Sequence, residues 1–132
     1  IFVNANGTAT RFMSEETLKK YFKLKMRNFV KDVELVDSPT GRDFNYLSLE
    51  LELYKYNDKT KIYYGLMSLK LDCSLSFIGN EEKIYELTVP IAGAESQIVA
   101  YIKYELDMMV EQYAEDYYYI EDLKAKSNKR VN

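Results

Sequence analysis

The sequence lacks histidine and tryptophan altogether, and it contains a single cysteine, Cys73. Without histidine the chain cannot build Ser-His-Asp or Cys-His nucleophiles, and it loses the side chain that shuttles protons near neutral pH. One cysteine cannot close an internal disulfide or form a thiolate metal cluster, so we interpret Cys73 as a small core residue. We therefore expect no catalytic residues, no metal and no cofactor.

Long apolar runs and a strong charge imbalance are missing as well. No window of about 20 apolar residues is present, so no segment is predicted to span a bilayer. The net charge of −3 argues against a general affinity for nucleic acid. With 132 residues, 47% of them hydrophobic, the chain has the size and composition of one folded domain. We predict a single α+β domain over residues 1–125 and a frayed basic tail over residues 126–132.

The stretch Met67–Phe77 carries the clearest pattern in the chain. Its odd-numbered positions are all apolar and its even-numbered positions are all polar. A period of two is typical of a strand with one dry face and one wet face. Because an isolated hairpin is marginal in water, we predict that this strand lies within a larger sheet whose dry face is covered.

Two neighbouring stretches repeat this alternation. Phe44–Tyr56 has the same period, and a polar turn follows it before the next strand begins near Lys61, which is the spacing of a hairpin. Lys83–Val89 supplies another alternating strand, so the three predict an antiparallel meander. Shorter apolar segments predict additional strands at Ile1–Ala5 and Val33–Val36.

Glycine and proline mark the predicted interruptions of the sheet. Asn6 and Gly7 predict a turn after the first strand. Gly65 interrupts an alternating run, which indicates either a bulge or a close backbone approach. Pro90 and Gly93 are predicted to end the sheet, because proline cannot donate a hydrogen bond within a ladder.

Two segments have helical periodicity. Glu15–Val30 follows the N-cap residue Ser14, and a longer segment from about Ala94 to Lys124 has a continuous apolar stripe. The first is basic on its polar face and the second is acidic between Glu105 and Asp122, so we predict that they lie side by side. The resulting fold is an α+β two-layer sandwich, in which an antiparallel meander sheet of three to five strands has an N-terminal helix and a long C-terminal helix packed on one face. The apolar stripes comprise Leu18, Phe22, Met26 and Phe29 in the first helix and Ile98, Ile102, Leu106, Met109, Tyr113, Tyr117 and Ile120 in the second.

Tyrosine is the most abundant aromatic residue, with 13 copies. On the second helix the tyrosines occupy more than one side, so they cannot all face one core. Tyrosine is enriched at protein interfaces, because it adds a large contact area with few rotatable bonds. We predict a contact surface for another protein or for a second copy of the chain at Tyr113, Tyr117, Tyr118 and Tyr119. A second tyrosine patch is predicted around the first hairpin, at Tyr54, Tyr56, Tyr63 and Tyr64.

The order of elements resembles that of envelope lipoprotein domains that assist outer-membrane assembly or transport, and that of type III secretion chaperones. The resemblance implies an accessory, non-catalytic role in a cell-envelope or secretion assembly, and it favours the periplasm or envelope over the cytoplasm. Two other functions stay open. One is a small-molecule binding protein with an aromatic pocket between the sheet and the helices. The other is a histidine-free hydrolase that uses the strand carboxylates Glu50, Glu52, Asp72 and Glu86.

Overall fold

The predicted alternating and helical segments form an α+β fold. A computed structural model describes residues 1–31, 45–75 and 80–131, with the side chains of residues 1–31, 46–72 and 85–127. The elements in chain order are β1 (Phe2–Ala5), α1 (Gly7–Thr10), α2 (Glu15–Phe29), β2 (Asn45–Lys55), β3 (Ile62–Leu75), β4 (Asn80–Ala94) and α3 (Ile98–Val131). The predicted strand Val33–Val36 and the side chain of Cys73 lie outside the part of the chain that the structure describes.

The sheet has the strand order β1-β2-β3-β4 and is mixed rather than entirely antiparallel. β2, β3 and β4 form the predicted antiparallel meander, whereas β1 pairs with β2 in parallel. A parallel pair needs a long crossover connection, and α2 lies in the connection between β1 and β2. The expectation of an exclusively antiparallel sheet was therefore wrong at β1.

Gly65 marks a close backbone approach, one of the two interpretations that the sequence left open. Gly65 is paired with Leu53 of β2, and a Cβ atom at this position would lie 1.7 Å from the backbone oxygen of Glu52. The irregularity of the β3–β4 pairing is located elsewhere, between Leu71 and Asp72. Glycine is thus required at residue 65 by space and not by a bulge.

β4 continues through Pro90 and Gly93 to Ala94, so the expectation that these two residues end the sheet was wrong. The backbone amide of Glu95 donates to the carbonyl of Lys61, so these two residues form a hydrogen-bonded pair. Hydrogen-bonded and non-hydrogen-bonded pairs alternate along an antiparallel ladder. Leu66 and Pro90, five pairs further on, are therefore a non-hydrogen-bonded pair, and the nitrogen of Pro90 points to the outer side of β4. Since β4 is an edge strand among the described strands, the missing N–H removes no bond to β3.

Asn6 begins a short helix instead of a turn. Its side-chain oxygen accepts a hydrogen bond from the amide of Ala9, which makes it the N-cap of α1. The same side chain also pairs with Leu53 of β2, since Oδ1 accepts from the Leu53 amide at 3.2 Å and Nδ2 donates to the Leu53 carbonyl at 2.8 Å. Asn6 therefore extends the β1–β2 pairing by one step after the backbone of β1 has turned away.

The dry face of the sheet and the two long helices share one buried core. Leu49 and Leu51 of β2 and Met67 and Leu69 of β3 are fully buried, as the alternation predicts. Ser14 caps α2 as expected, and the apolar stripe of α2 is buried except at its end, where Phe29 is exposed. The other large buried side chains are Leu18, Phe22, Met26, Leu53, Tyr63, Ile98, Ile102 and Leu106.

The helices α2 and α3 lie side by side and run in the same direction. Asp107 of α3 accepts a hydrogen bond from the hydroxyl of Tyr21 at 2.9 Å and pairs with the ammonium of Lys25 at 3.4 Å. Eleven residues farther along α3, the hydroxyl of Tyr118 accepts a hydrogen bond from the backbone amide of Lys31. The predicted contact between a basic and an acidic helix is thus made through Asp107, with a tyrosine taking part.

The long C-terminal helix differs from the predicted one at both ends. It begins at Ile98, four residues later than expected, because β4 continues to Ala94. It runs to Val131, which includes most of the predicted tail. At 1.5 Å per residue its 34 residues span about 51 Å. The division into one domain and a frayed tail stays a prediction.

Candidate functional site

Three of the four tyrosines predicted as an interface, Tyr113, Tyr117 and Tyr118, form part of a row of aromatic rings along α3. Tyr113 is only 7% exposed, and its ring contacts those of Tyr85 on β4 and Tyr117 one turn later. Burial, followed by the proximity of Tyr117, raises the pKa of Tyr113 to about 12. Tyr113 is therefore a core residue that supports the others and does not itself face solvent.

A hydrogen-bonded cluster fixes α3 to the edge strand beside this row. The hydroxyl of Tyr85 donates to Asp116, which also accepts a hydrogen bond from the side-chain amide of Gln112 at 3.0 Å. Burial and then the hydrogen bond to Asp116 raise the pKa of the Tyr85 hydroxyl. The cluster holds α3 against β4 up to Tyr117, and the helix extends beyond it.

Tyr118 and Tyr119 are the exposed members of the predicted set. Tyr118 is 39% exposed and Tyr119 is 67% exposed, and every described side chain from Tyr118 to Ser127 is accessible to solvent. Two large apolar side chains lie next to them, Ile120 and Leu123, and both are about half exposed. We call Tyr118, Tyr119, Ile120 and Leu123 the helix-end surface.

The opposite face of the sheet carries a second exposed apolar surface, near the β2–β3 turn. Its residues lie at even positions of adjacent strands: Tyr54 pairs with Tyr64, and Leu66 pairs with Pro90. The rings of Tyr54 and Tyr64 are 5.9 Å apart, and both side chains are about half exposed. We call the whole group the open-face patch, and it consists of Tyr54, Tyr56, Ile62, Tyr64, Leu66, Pro90 and Ala92.

This patch was predictable from the sequence only in part. Tyr63 was predicted to belong to it, but Tyr63 is 1% exposed and belongs to the dry face, where its ring meets that of Phe12 edge-on. Ile62 and Leu66, which share the even phase with Tyr64, were not predicted. The signal was present, because β3 is polar at its even positions only from Ser68 onward.

The other half of the open face is mainly polar, apart from Phe2 of β1, whose exposed ring lies 5.3 Å from that of Tyr46. Glu50 pairs with Lys70 at 3.4 Å across β2 and β3, and Ser68 shares a hydrogen bond with Thr88 of β4. The carboxylates considered for a hydrolase are distributed over three strands: Glu50 and Glu52 on β2, Asp72 on β3 and Glu86 on β4. Glu52 accepts a hydrogen bond from the hydroxyl of Tyr54. Over the described residues, no group of acidic or cysteine side chains is placed to hold a metal ion.

Comparison with known proteins adds no family to these observations. The chain matches no protein-family model, no curated protein and no solved structure. Within the described ranges, no helix combines the length and the apolar character needed to cross a bilayer. The two exposed apolar surfaces are therefore the candidate sites among the described residues.

Proposed function

We propose that this chain is a non-catalytic protein-interaction domain and that the helix-end surface is its contact site. The observation that carries the proposal is the exposure of large apolar side chains on the part of α3 that continues past the aromatic row. Tyr119, Ile120 and Leu123 lie within about 100° of the helix circumference, so they present one continuous apolar stripe to a partner. Helices with such stripes bind apolar grooves or other helices.

The buried part of α3 explains why this surface is suited to binding. The row from Tyr85 through Tyr113 to Tyr117 anchors the helix, and Lys31 bonds to the hydroxyl of Tyr118. The exposed stripe therefore follows directly from a fixed helix, which reduces the conformational entropy lost when a partner binds. Membership in a cell-envelope or secretion assembly is a further part of the proposal that rests on the architectural resemblance alone.

Site-specific photocrosslinking tests this function. A benzoylphenylalanine placed at Tyr119 or Leu123 is expected to give a discrete covalent adduct in the cells that make the protein. The same probe at Glu111, an exposed residue of α3 two turns earlier, serves as the matched control and is expected to give none. A second substitution, Ile120→Lys, is expected to remove the adduct formed from position 119, because it places a charge within the stripe.

Two outcomes of this experiment contradict the proposal. Equal adducts from positions 119 and 111 indicate nonspecific capture, and the absence of adducts from both 119 and 123 indicates that the helix end has no partner. The mass of an adduct identifies its origin, since a second copy doubles the mass and a different protein adds its own. Far-UV circular dichroism of Ile120→Lys checks that α3 is retained.

The small-molecule alternative receives no specific support from the described residues. Its pocket was expected between the sheet and the helices, lined by tyrosine and phenylalanine. At that place Phe22 and Tyr63 are buried among leucine and methionine side chains and take part in the core. The hydrolase alternative also lacks a supporting observation, because Glu50 and Glu52 are engaged by Lys70 and Tyr54 on an open face.

A further inference from the structure

The open-face patch is an extended apolar surface on the side of the sheet that faces away from the helices. Its five largest side chains are Tyr54, Tyr56, Ile62, Tyr64 and Leu66, each between 46% and 66% exposed. Together they present on the order of 500 Å² of accessible surface, which is near the upper end for the largest apolar patch of a monomer. Cross-strand pairing of Tyr54 with Tyr64 stabilises the sheet, but it leaves the outer faces of the rings in water.

The area of the patch fits a second copy of the same chain. Two such patches in contact remove about 1,000 Å² from water, which is the lower limit for a specific interface. Most oligomers of identical chains use two-fold symmetry, in which one patch contacts itself on the partner. A patch on an open sheet face meets this requirement, because two sheets stack face to face at about 10 Å.

The charges beside the patch favour one orientation of the two copies. At one end, the β2–β3 turn carries Lys59 with Asp58 beside it. At the other end, the polar half of the face carries Glu50, Glu52 and Glu86 together with Lys70, which pairs with Glu50, so the carboxylates outnumber the ammonium group there. Consider a two-fold axis that lies between the two sheets, perpendicular to the strands and level with Tyr64. It places the lysine end of each copy over the glutamate end of the other. The carboxylates also disfavour a nucleic acid or an anionic membrane as the occupant of this face.

We propose that the open-face patch is a homodimer interface, in which two copies stack their sheets through Tyr54, Tyr64 and Leu66 with the strands of the two copies antiparallel. This surface is separate from the helix-end surface, so each copy keeps its helix end exposed for a different partner. The proposal does not depend on the function assigned to α3.

Sedimentation equilibrium of the intact chain tests the interface. The small area is typical of a weak or transient dimer, so sedimentation is followed over a concentration series up to about 1 mM. Leu66→Lys is expected to raise the Kd of the dimer at least about tenfold, because it buries an unpaired charge at the centre of the patch. Leu24→Lys is the matched control, since Leu24 is similarly exposed but lies on α2. Circular dichroism and the thermal midpoint of both variants check the fold.

Thiol cross-linking with a bismaleimide tests the orientation. A direct disulfide is too short for this purpose, because it needs Cα atoms within about 7 Å and the two sheets stack at about 10 Å. In a Cys73→Ser background, Tyr64→Cys is expected to give a cross-linked dimer with a reagent that spans this distance, because residue 64 lies on the proposed two-fold axis and faces its own copy. Met108→Cys, about half exposed on the outer side of α3, is expected to stay uncross-linked at the same concentration. Lys59→Glu is expected to weaken the dimer, because it places a carboxylate over the acidic half of the partner copy.

Three results overturn the proposal. The first is a wild-type chain that stays monomeric up to about 1 mM, which leaves no dimer to explain. The second is a dimer that Leu66→Lys leaves intact, which places the contact elsewhere, for example at the helix end. The third is equal cross-linking of Tyr64→Cys and Met108→Cys, which indicates random collision.

Discussion

The two faces of the sheet have the same alternation but different surroundings. On the dry face, Leu49 and Met67 are fully buried beneath α2 and α3. On the open face, Leu66 and Tyr64 are equally apolar and belong to the same strand as Met67, yet about half of each side chain is accessible. The comparison shows that a period of two assigns a residue to a face and does not tell whether that face is covered.

The largest expected effect on the free energy of unfolding comes from shortening one leucine on each face of the sheet. Leu49→Ala should lower the free energy of unfolding by about 2–5 kcal/mol, because it removes buried methyl groups and leaves a cavity. Leu66→Ala should change it by no more than about 0.5 kcal/mol in dilute solution, where the patch is in water. Urea denaturation at low protein concentration measures both values. Equal losses for the two variants would show that the open face is covered within one chain.

A methyl group at Gly65 tests how closely β2 and β3 approach each other. Gly65→Ala should destabilise the chain by roughly 1–3 kcal/mol, because the new Cβ would overlap the backbone oxygen of Glu52 and the strands must move apart. Gly7→Ala is the control, since a Cβ there meets no atom within 4 Å and alanine favours the first turn of α1. Thermal denaturation compares the two. A neutral Gly65→Ala would disprove the close approach.

Asn6 tests how the end of β1 is fixed to β2. Asn6→Ala should cost about 1–2 kcal/mol, because it removes the cap of α1 and leaves the amide and carbonyl of Leu53 without their side-chain partner. Asn6→Asp keeps the acceptor but loses the donor to the Leu53 carbonyl, so it should recover only part of the loss. Asn4→Ala, at an exposed position two residues earlier, should be near neutral. Hydrogen exchange of the Leu53 amide reports the local opening.

The smallest effect concerns tyrosine ionisation on the two faces. Burial raises the pKa of Tyr113 to about 12, whereas the charge of Glu52 and then its hydrogen bond raise the pKa of Tyr54. A raised tyrosine pKa means that the folded state favours the neutral phenol. The stabilisation by Tyr113 is therefore complete below pH 10 and is lost as the pH rises from 10 to about 12.

Site-resolved NMR titration distinguishes these two causes. High salt or Glu52→Gln should lower the pKa of exposed Tyr54, because its shift comes from a screened charge. Neither treatment should move Tyr113, whose shift comes mainly from burial. A Tyr113 pKa that falls with salt would contradict its assignment to the core.

Much of the fold could be predicted from local patterns. The alternation in β2 and β3 identified the dry face, and Ser14 with the following apolar stripe identified α2. The direction of β1 was missed because strand pairing depends on the path of the connection and leaves no trace in four residues. The prediction that Pro90 ends the sheet was wrong for a related reason. Proline is excluded only where its nitrogen faces a neighbouring strand, and β4 is an edge of the described sheet.

The candidate surfaces were predictable to a lesser degree. Tyr118 and Tyr119 are exposed as the interface hypothesis requires, but Tyr113 is buried because α3 lies against Tyr85 at that point. Helical periodicity placed Ile120 on the core stripe, and its phase is correct. Ile120 is nevertheless 46% exposed, because α3 extends past the described residues that cover its earlier turns.

The amino-acid sequence by itself determined which residues share a face of each strand and each helix, because the periods of 2 and 3.6 are properties of the local backbone. Only the tertiary structure decided which of those faces are covered, how β1 is oriented and where α3 leaves the core. These outcomes depend on the relative lengths and positions of elements that are distant in the chain, and no local period encodes them. The two exposed apolar surfaces, at the helix end and on the open face, therefore result from the tertiary structure.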